Sequence, residues 1–176
     1  ITALGTQTLG LAGRISVNRS LVAAPTRLVV DATSPLTPSG DTTRPIMDRV
    51  KESLFNILGD VHGTRWLDMY AGTGQVGIEA LSRGAAEVVF VDKARAAVQT
   101  VRDNLAHTRL TDGAAVVQAD ALAYLRDAGA RPFDVIYVAP PQYLEMWVEA
   151  LQAVDLAAGR LLADGGLAIV QIDPRE

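Results

Sequence analysis

The sequence predicts an α/β fold in which a mostly parallel, doubly wound sheet carries helices on both faces. Three observations point to it. Apolar runs of strand length recur between segments of helical periodicity. A glycine-rich turn with G-x-G-x-x-G spacing, Gly72 to Gly77, follows one of those runs. Asp68, Asp92, Asp120 and Ala139 stand at the ends of four successive strand candidates, where open α/β sheets bind their ligands.

Residues 1–43 are expected to form a short N-terminal arm or β-hairpin extension, and residues 44–176 the main domain. Arg14-Ile15-Ser16-Val17 and Arg27-Leu28-Val29-Val30 are the candidate strands of the arm, and the prolines and glycine of 34–40 mark a loop. A helix is expected from Pro45 or Ile46 to Leu58, because Met47, Val50, Leu54, Ile57 and Leu58 share one helical face. Arg44 and Arg49 fall off that stripe or at its edge. They read either as solvated charges or as contacts to substrate phosphates.

Trp66 and Leu67 close the next apolar run, and helical periodicity resumes through Ile78, Ala80 and Leu81. Val88 to Val91 reads as a strand ending at Asp92, followed by a helix from Ala94 to Ala106. A strand from Ala115 to Gln118, a helix from Ala121 to Ala128 and a strand from Asp134 to Val138 come after it. The turn Ala139-Pro140-Pro141-Gln142-Tyr143 leads into a helix of about three turns from Leu144. A turn at Asp164-Gly165-Gly166 then separates that helix from a strand through Leu167 to Gln171.

The 176 residues fit one such domain with a short extension, and 49% apolar composition suffices for a core. The absence of cysteine excludes disulfides, thiolate catalysis and zinc-thiolate sites, and is compatible with a reducing cytosol. The two histidines, His62 and His107, are far apart in sequence, so no metal site is expected. No window is apolar enough to span a bilayer and no signal peptide pattern opens the chain; a cytoplasmic monomer is expected. The chain begins with isoleucine, which suggests a trimmed or processed start.

The net charge is -4, but six basic residues against three acidic ones lie up to Lys51, and ten against seventeen beyond it. A basic front on an acidic body is compatible with one face presented to a polyanion.

The glycine spacing alone also matches a dinucleotide fingerprint, with Asp92 placed to hold a ribose. Asp68, four positions before the first glycine, shifts the reading. A carboxylate there repels a diphosphate but suits a ligand carrying an ammonium group and a sulfonium, such as S-adenosylmethionine. An ordinary glycine turn with Asp68 as a helix cap is the bland alternative, and a nicotinamide cofactor the other.

Arg44-Pro45, the run from Asp48 to Leu58, Leu67-Asp68-Met69-Tyr70-Ala71-Gly72-Thr73-Gly74 and Gly77 to Ala85 together resemble the RsmD family from about Thr43 onward. The resemblance implies a Rossmann-like class I methyltransferase that uses S-adenosylmethionine to methylate the exocyclic N2 of a guanine in small-subunit (16S) ribosomal RNA. The RNA, free or as a ribonucleoprotein particle, is then the implied partner. It also implies that Asp68, Tyr70, Ala71, Gly72, Thr73, Gly74 and Gly77 wrap the methionine part of the cofactor. Asp92 with Lys93 would bind the ribose, Asp120 with Ala121 the adenine, and Ala139 would border the same pocket. Pro140, Pro141, Gln142 and Tyr143 would form the catalytic turn, with Tyr143, Arg44 and Arg49 on the RNA.

The family's turn reads Asp or Asn, Pro, Pro, aromatic. Here Ala139 replaces the acid or amide, and Tyr143 is displaced by one position. A weakened or lost methyl transfer, or transfer to another planar nitrogen, is the alternative that follows. The antiparallel hairpin that usually follows the last strand is also missing, so a shortened chain, or pairing of that edge with another chain, is expected.

Overall fold

The computed structural model describes residues 48–129, 131–141 and 146–171. The expected arm, Arg44, the helix start near Pro45, and Gln142 and Tyr143 lie outside the described residues. Five strands form one parallel sheet: β1 (Arg65–Met69), β2 (Glu87–Asp92), β3 (Ala114–Gln118), β4 (Phe133–Val138) and β5 (Leu162–Val170), in the order β3-β2-β1-β4-β5. Helices α1 (Asp48–Leu58), α2 (Gln75–Ser82), α3 (Arg95–Thr108), α4 (Ala121–Asp127) and α5 (Met146–Leu161) connect and cover them. The connections step outward from β1 to β2 and β3, then return to place β4 on the other side of β1. The β1/β4 boundary is therefore the switch point of the sheet, and the carboxyl ends beside it are where open α/β sheets place their ligand crevice.

Alternate residues of each strand feed two cores, as the pleat requires. On one face Trp66, Val88, Phe90, Val135 and Tyr137 pack with Phe55, Val76, Ala80, Leu81 and Val101. On the other, Leu67, Met69, Val89, Val91, Ile136 and Val138 pack with Ala121, Leu125, Ala150, Val154 and Leu161. The outer strands β3 and β5 are less buried, which is why their sequences are less uniformly apolar.

Three expectations are corrected. The buried centre of α1 is Phe55, 1% exposed and stacked on Trp66 at 5.6 Å, whereas Ile57 is 40% exposed. Two residues on a helix turn through about 200°, so a face centred on Phe55 excludes Ile57. Helix α5 is 16 residues long rather than three turns, because its apolar face continues through Ala158 and Leu161. Asp164-Gly165-Gly166 does not precede the last strand but lies within it. Phe133 pairs with Leu162 and Val135 with Leu167, so β5 carries a bulge opposite Asp134, with Gly165 at φ 78 supplying its left-handed residue.

The amino end of the sheet is closed by charge. Arg65 pairs with Glu87 at 3.1 Å and lies 3.9 Å above the Phe133 ring, while Arg131 reaches the second Glu87 oxygen at 2.5 Å. The Arg65 hydrogen bonds to Glu87 hold that carboxyl below the ordinary carboxylate range. This cluster is at the opposite end from the crevice.

Candidate active site

The carboxyl ends of the five strands are tied together one or two residues past the ladders. Ala71 N–H donates to Val91 O at 3.1 Å, Ala119 N–H to Asp92 O at 3.0 Å, Ala139 N–H to Met69 O at 3.3 Å, and Gln171 N–H to Val138 O at 2.9 Å. The rim that results holds Asp68, Asp92, Asp120 and Ala139 at successive strand ends around the switch point.

Asp68 is the one buried charged residue among the described residues, 3% exposed. In register it lies between Phe90 of β2 and Tyr137 of β4. Its Oδ2 accepts the Gly77 N–H at 3.2 Å, and Oδ1 accepts no bond among the described residues. Burial, opposed by the Gly77 hydrogen bond and reinforced by Asp92, pushes its pKa up to about 8. Gly74 is the N-cap of α2 and has no side chain to cap with, so Asp68 serves the helix from the neighbouring strand. The capping role that stands as an alternative to ligand binding is thus present, and it uses only one of two oxygens.

The glycine loop has three supports. Asp92 Oδ2 accepts Gly72 N–H at 2.9 Å while Oδ1 accepts Ala94 N–H at 2.9 Å, joining the loop to the start of α3. Asn104 Nδ2 donates to Thr73 O at 2.9 Å. Gly74 N–H closes the turn on Ala71 O at 2.7 Å. Gly77 is required by packing, since a Cβ there would stand 2.3 Å from Phe90 and 2.8 Å from Val88.

Tyr70, directly after β1, takes φ 60, a left-handed conformation that costs a non-glycine residue about 1 kcal/mol and is found at functional turns. Its half-buried phenol is pushed up to about 12 by desolvation first, then by Asp120 and Glu149. Asp120 caps α4, with Oδ1 accepting from Leu122 and Ala123 N–H, both at 3.0 Å. Its Oδ2 has no partner among the described residues. Ala121 is buried beside it, Lys93 is exposed, Pro140 is buried and Pro141 exposed.

The structure therefore brings together Asp68, Tyr70, the 71–77 loop, Asp92, Asp120 and Ala139. The backbone of Arg49 lies in α1, and Arg44, Gln142 and Tyr143 lie outside the described residues. Sequence reasoning missed Asn104, Tyr137, Glu149 and Gln171. Asn104 and Gln171 are ordinary surface polar types, and only the register of the sheet reveals what they reach.

An S-adenosylmethionine fits this donor set. Asp68 Oδ1 is free for an ammonium, Asp120 Oδ2 for an amine, and the Asp92 oxygens each keep a lone pair for ribose hydroxyls. Three carboxylates and no described lysine or arginine bonded at the glycine loop do not suit a diphosphate.

Comparison with known proteins agrees. A family model described as conserved hypothetical protein 95 matches residues 34–176. The chain is 41% identical over 138 residues to the Bacillus subtilis protein named "Putative rRNA methyltransferase YlbH", covering 77% of this chain and 74% of the relative. It is 40% identical over 105 residues to ribosomal RNA small subunit methyltransferase D of Escherichia coli, covering 59% of this chain and 52% of the relative, so it spans about half the length of that protein. A solved structure of a hypothetical protein from Thermus thermophilus superposes with a TM-score of 0.65 at 32% identity, covering 80% of each chain.

Proposed function

Since the chain belongs to the conserved hypothetical protein 95 family, the RsmD-like group its motifs resemble, we propose that it transfers a methyl group from S-adenosylmethionine to the exocyclic N2 of a guanine in small-subunit ribosomal RNA. The observation that carries this reading is the row of unpartnered or half-used carboxylate oxygens on Asp68, Asp92 and Asp120 at the carboxyl ends of three adjoining strands. A protein that only bound RNA would gain nothing from three acids at adjoining strand ends.

Bound S-adenosylmethionine would supply an electrophilic methyl on a sulfonium, so that an amine lone pair forming the N–C bond returns the C–S pair to sulfur and releases one proton to water. The chain's own groups hold the partners in line. Asp68 Oδ1 would hold an ammonium at the carboxyl end of β1, the Asp92 carboxylate would orient the ribose, and Asp120 would hold the adenine amine. Tyr70 and the glycine loop exclude water from that side. A guanine amine is a poor nucleophile because its lone pair is shared with the ring, so proximity and acceptors on its hydrogens contribute most to rate. Carbonyl oxygens of the Ala139–Pro141 turn are the backbone acceptors available at the end of β4, and Tyr143 would stack on the extruded base.

Ala139 favours one second reading, transfer to a different planar nitrogen. The same assay separates the two. Labelled S-adenosylmethionine is incubated with unmodified small-subunit RNA, free and protein-bound, and the nucleosides are analysed. Label in N2-methylguanosine supports the proposal, label in another nucleoside supports the second reading, and no transfer to either RNA form rejects both.

A further inference from the structure

Ala139 leaves the target-base side of the crevice without the polar side chain that methyl transfer to an amine calls for, and the adjacent strand offers one. Val138 and Val170 are register partners, and Gln171 N–H donates to Val138 O at 2.9 Å. Gln171 is therefore level with Ala139 one strand over. Neighbouring strands lie about 4.8 Å apart. Gln171 also shares a sheet face with Ala139, because Ile169 and Tyr137, two residues earlier on each strand, are partners packed on the same core. The Gln171 side chain is oriented from below: the buried Tyr137 hydroxyl donates to its Oε1. A carbonyl oxygen with one donor keeps a second lone pair, and Nε2 keeps both hydrogens, having no partner among the described residues.

We propose that the Gln171 side-chain amide takes the place vacated at position 139 and pairs with the target base through two bonds. Oε1 accepts from the exocyclic amine and Nε2 donates to the ring nitrogen beside it. This inference rests on the methyltransferase reading and narrows its substrate. The amide matches an edge on which an amine adjoins a ring acceptor, the pairing that glutamine makes with adenine in nucleic acid grooves and that guanine offers at N2 and N3. It does not match an edge of two donors. Tyr137 is the positioning residue, since it fixes which end of the amide faces the base.

The test compares wild type with Gln171→Met, Gln171→Glu and the double variant Ala139→Asn with Gln171→Met, using labelled S-adenosylmethionine and unmodified small-subunit RNA. Calorimetric titration of S-adenosylmethionine into each variant serves as the control for folding. Gln171→Met is expected to lower kcat/KM by about tenfold or more, the loss of one or two net hydrogen bonds, with cofactor affinity within about twofold of wild type. Asn at 139 restores a substantial part of that loss. Gln171→Glu adds a carboxylate-range inflection to the pH profile of kcat/KM, which a residue that merely supported the strand would not do. Wild-type rates in Gln171→Met, or an unchanged profile in Gln171→Glu, overturn the inference while leaving the methyltransferase reading intact. A wild-type protein that methylates no RNA removes both.

Discussion

The Asp68 carboxylate accepts the backbone N–H of Gly77 at 3.2 Å from within a row of buried side chains, so a residue of β1 caps α2 with one oxygen and keeps the other unbonded among the described residues. Its folded-state pKa of about 8 lies above the ordinary 3.8. Between those values the unfolded chain has released the proton and the folded chain has not. Stability therefore falls as pH rises from about 4 to about 8 and levels off above. Asp68→Asn keeps an acceptor for Gly77 and removes the titration. Denaturant midpoints at pH 5 and 8.5 should converge for Asp68→Asn and diverge for wild type; parallel curves would contradict the burial of this carboxyl.

Binding couples to the same proton. An ammonium beside Oδ1 favours the ionised carboxylate, so cofactor affinity should strengthen as pH rises toward 8. Near pH 7 about one proton should leave on binding, seen by calorimetry in two buffers of different ionisation heat. In Asp68→Asn the buffer dependence vanishes and affinity drops. Equal heats in both buffers for wild type would remove Asp68 from the ammonium site.

Asp120 has two separable roles. Asp120→Ala should cost about 1 kcal/mol of stability through the lost cap and also weaken cofactor binding. Asp120→Ser restores the cap but cannot reach the adenine amine, so stability recovers and affinity does not. Recovery of both in the serine variant would reduce Asp120 to a helix cap.

Gly77→Ala sets helix propensity against space. Alanine gains about 1 kcal/mol in a helix interior, but its Cβ would stand 2.3 Å from Phe90. Overpacking of that kind costs about 1–3 kcal/mol. A net loss of up to about 2 kcal/mol is expected by chemical denaturation, and greater stability than wild type would mean that Phe90 yields freely.

The strands of the sheet centre and the helices that cover them were legible because β1, β2 and β4 are buried on both faces and so read as continuous apolar runs. Boundaries shifted by one or two residues: α3 runs on from Ala106 to Thr108 at an exposed end, and β4 starts at the buried Phe133 under the Arg65 guanidinium. The bulge at Asp164 to Gly166 reads as a turn because its chemistry is turn chemistry; only pairing to β4 distinguishes them. At the crevice, Asp68, Asp92 and Asp120 were visible as acids where strands stop. Asn104 and Gln171 were not, because each acts on a backbone or phenol 31 or 34 residues away along the chain.

The irregularity in β5 has a bearing on the rim it never touches. Surplus chain is gathered between Leu162 and Leu167, where four residues face the single Asp134 on β4, and pairing is one-to-one from there to Val170. Length changes near Gly165 are thus absorbed as slack at the far edge, and Gln171 arrives opposite Ala139 whatever their size. Two regions of one strand can vary on different terms, loosely where the sheet begins and residue by residue where it meets its ligands.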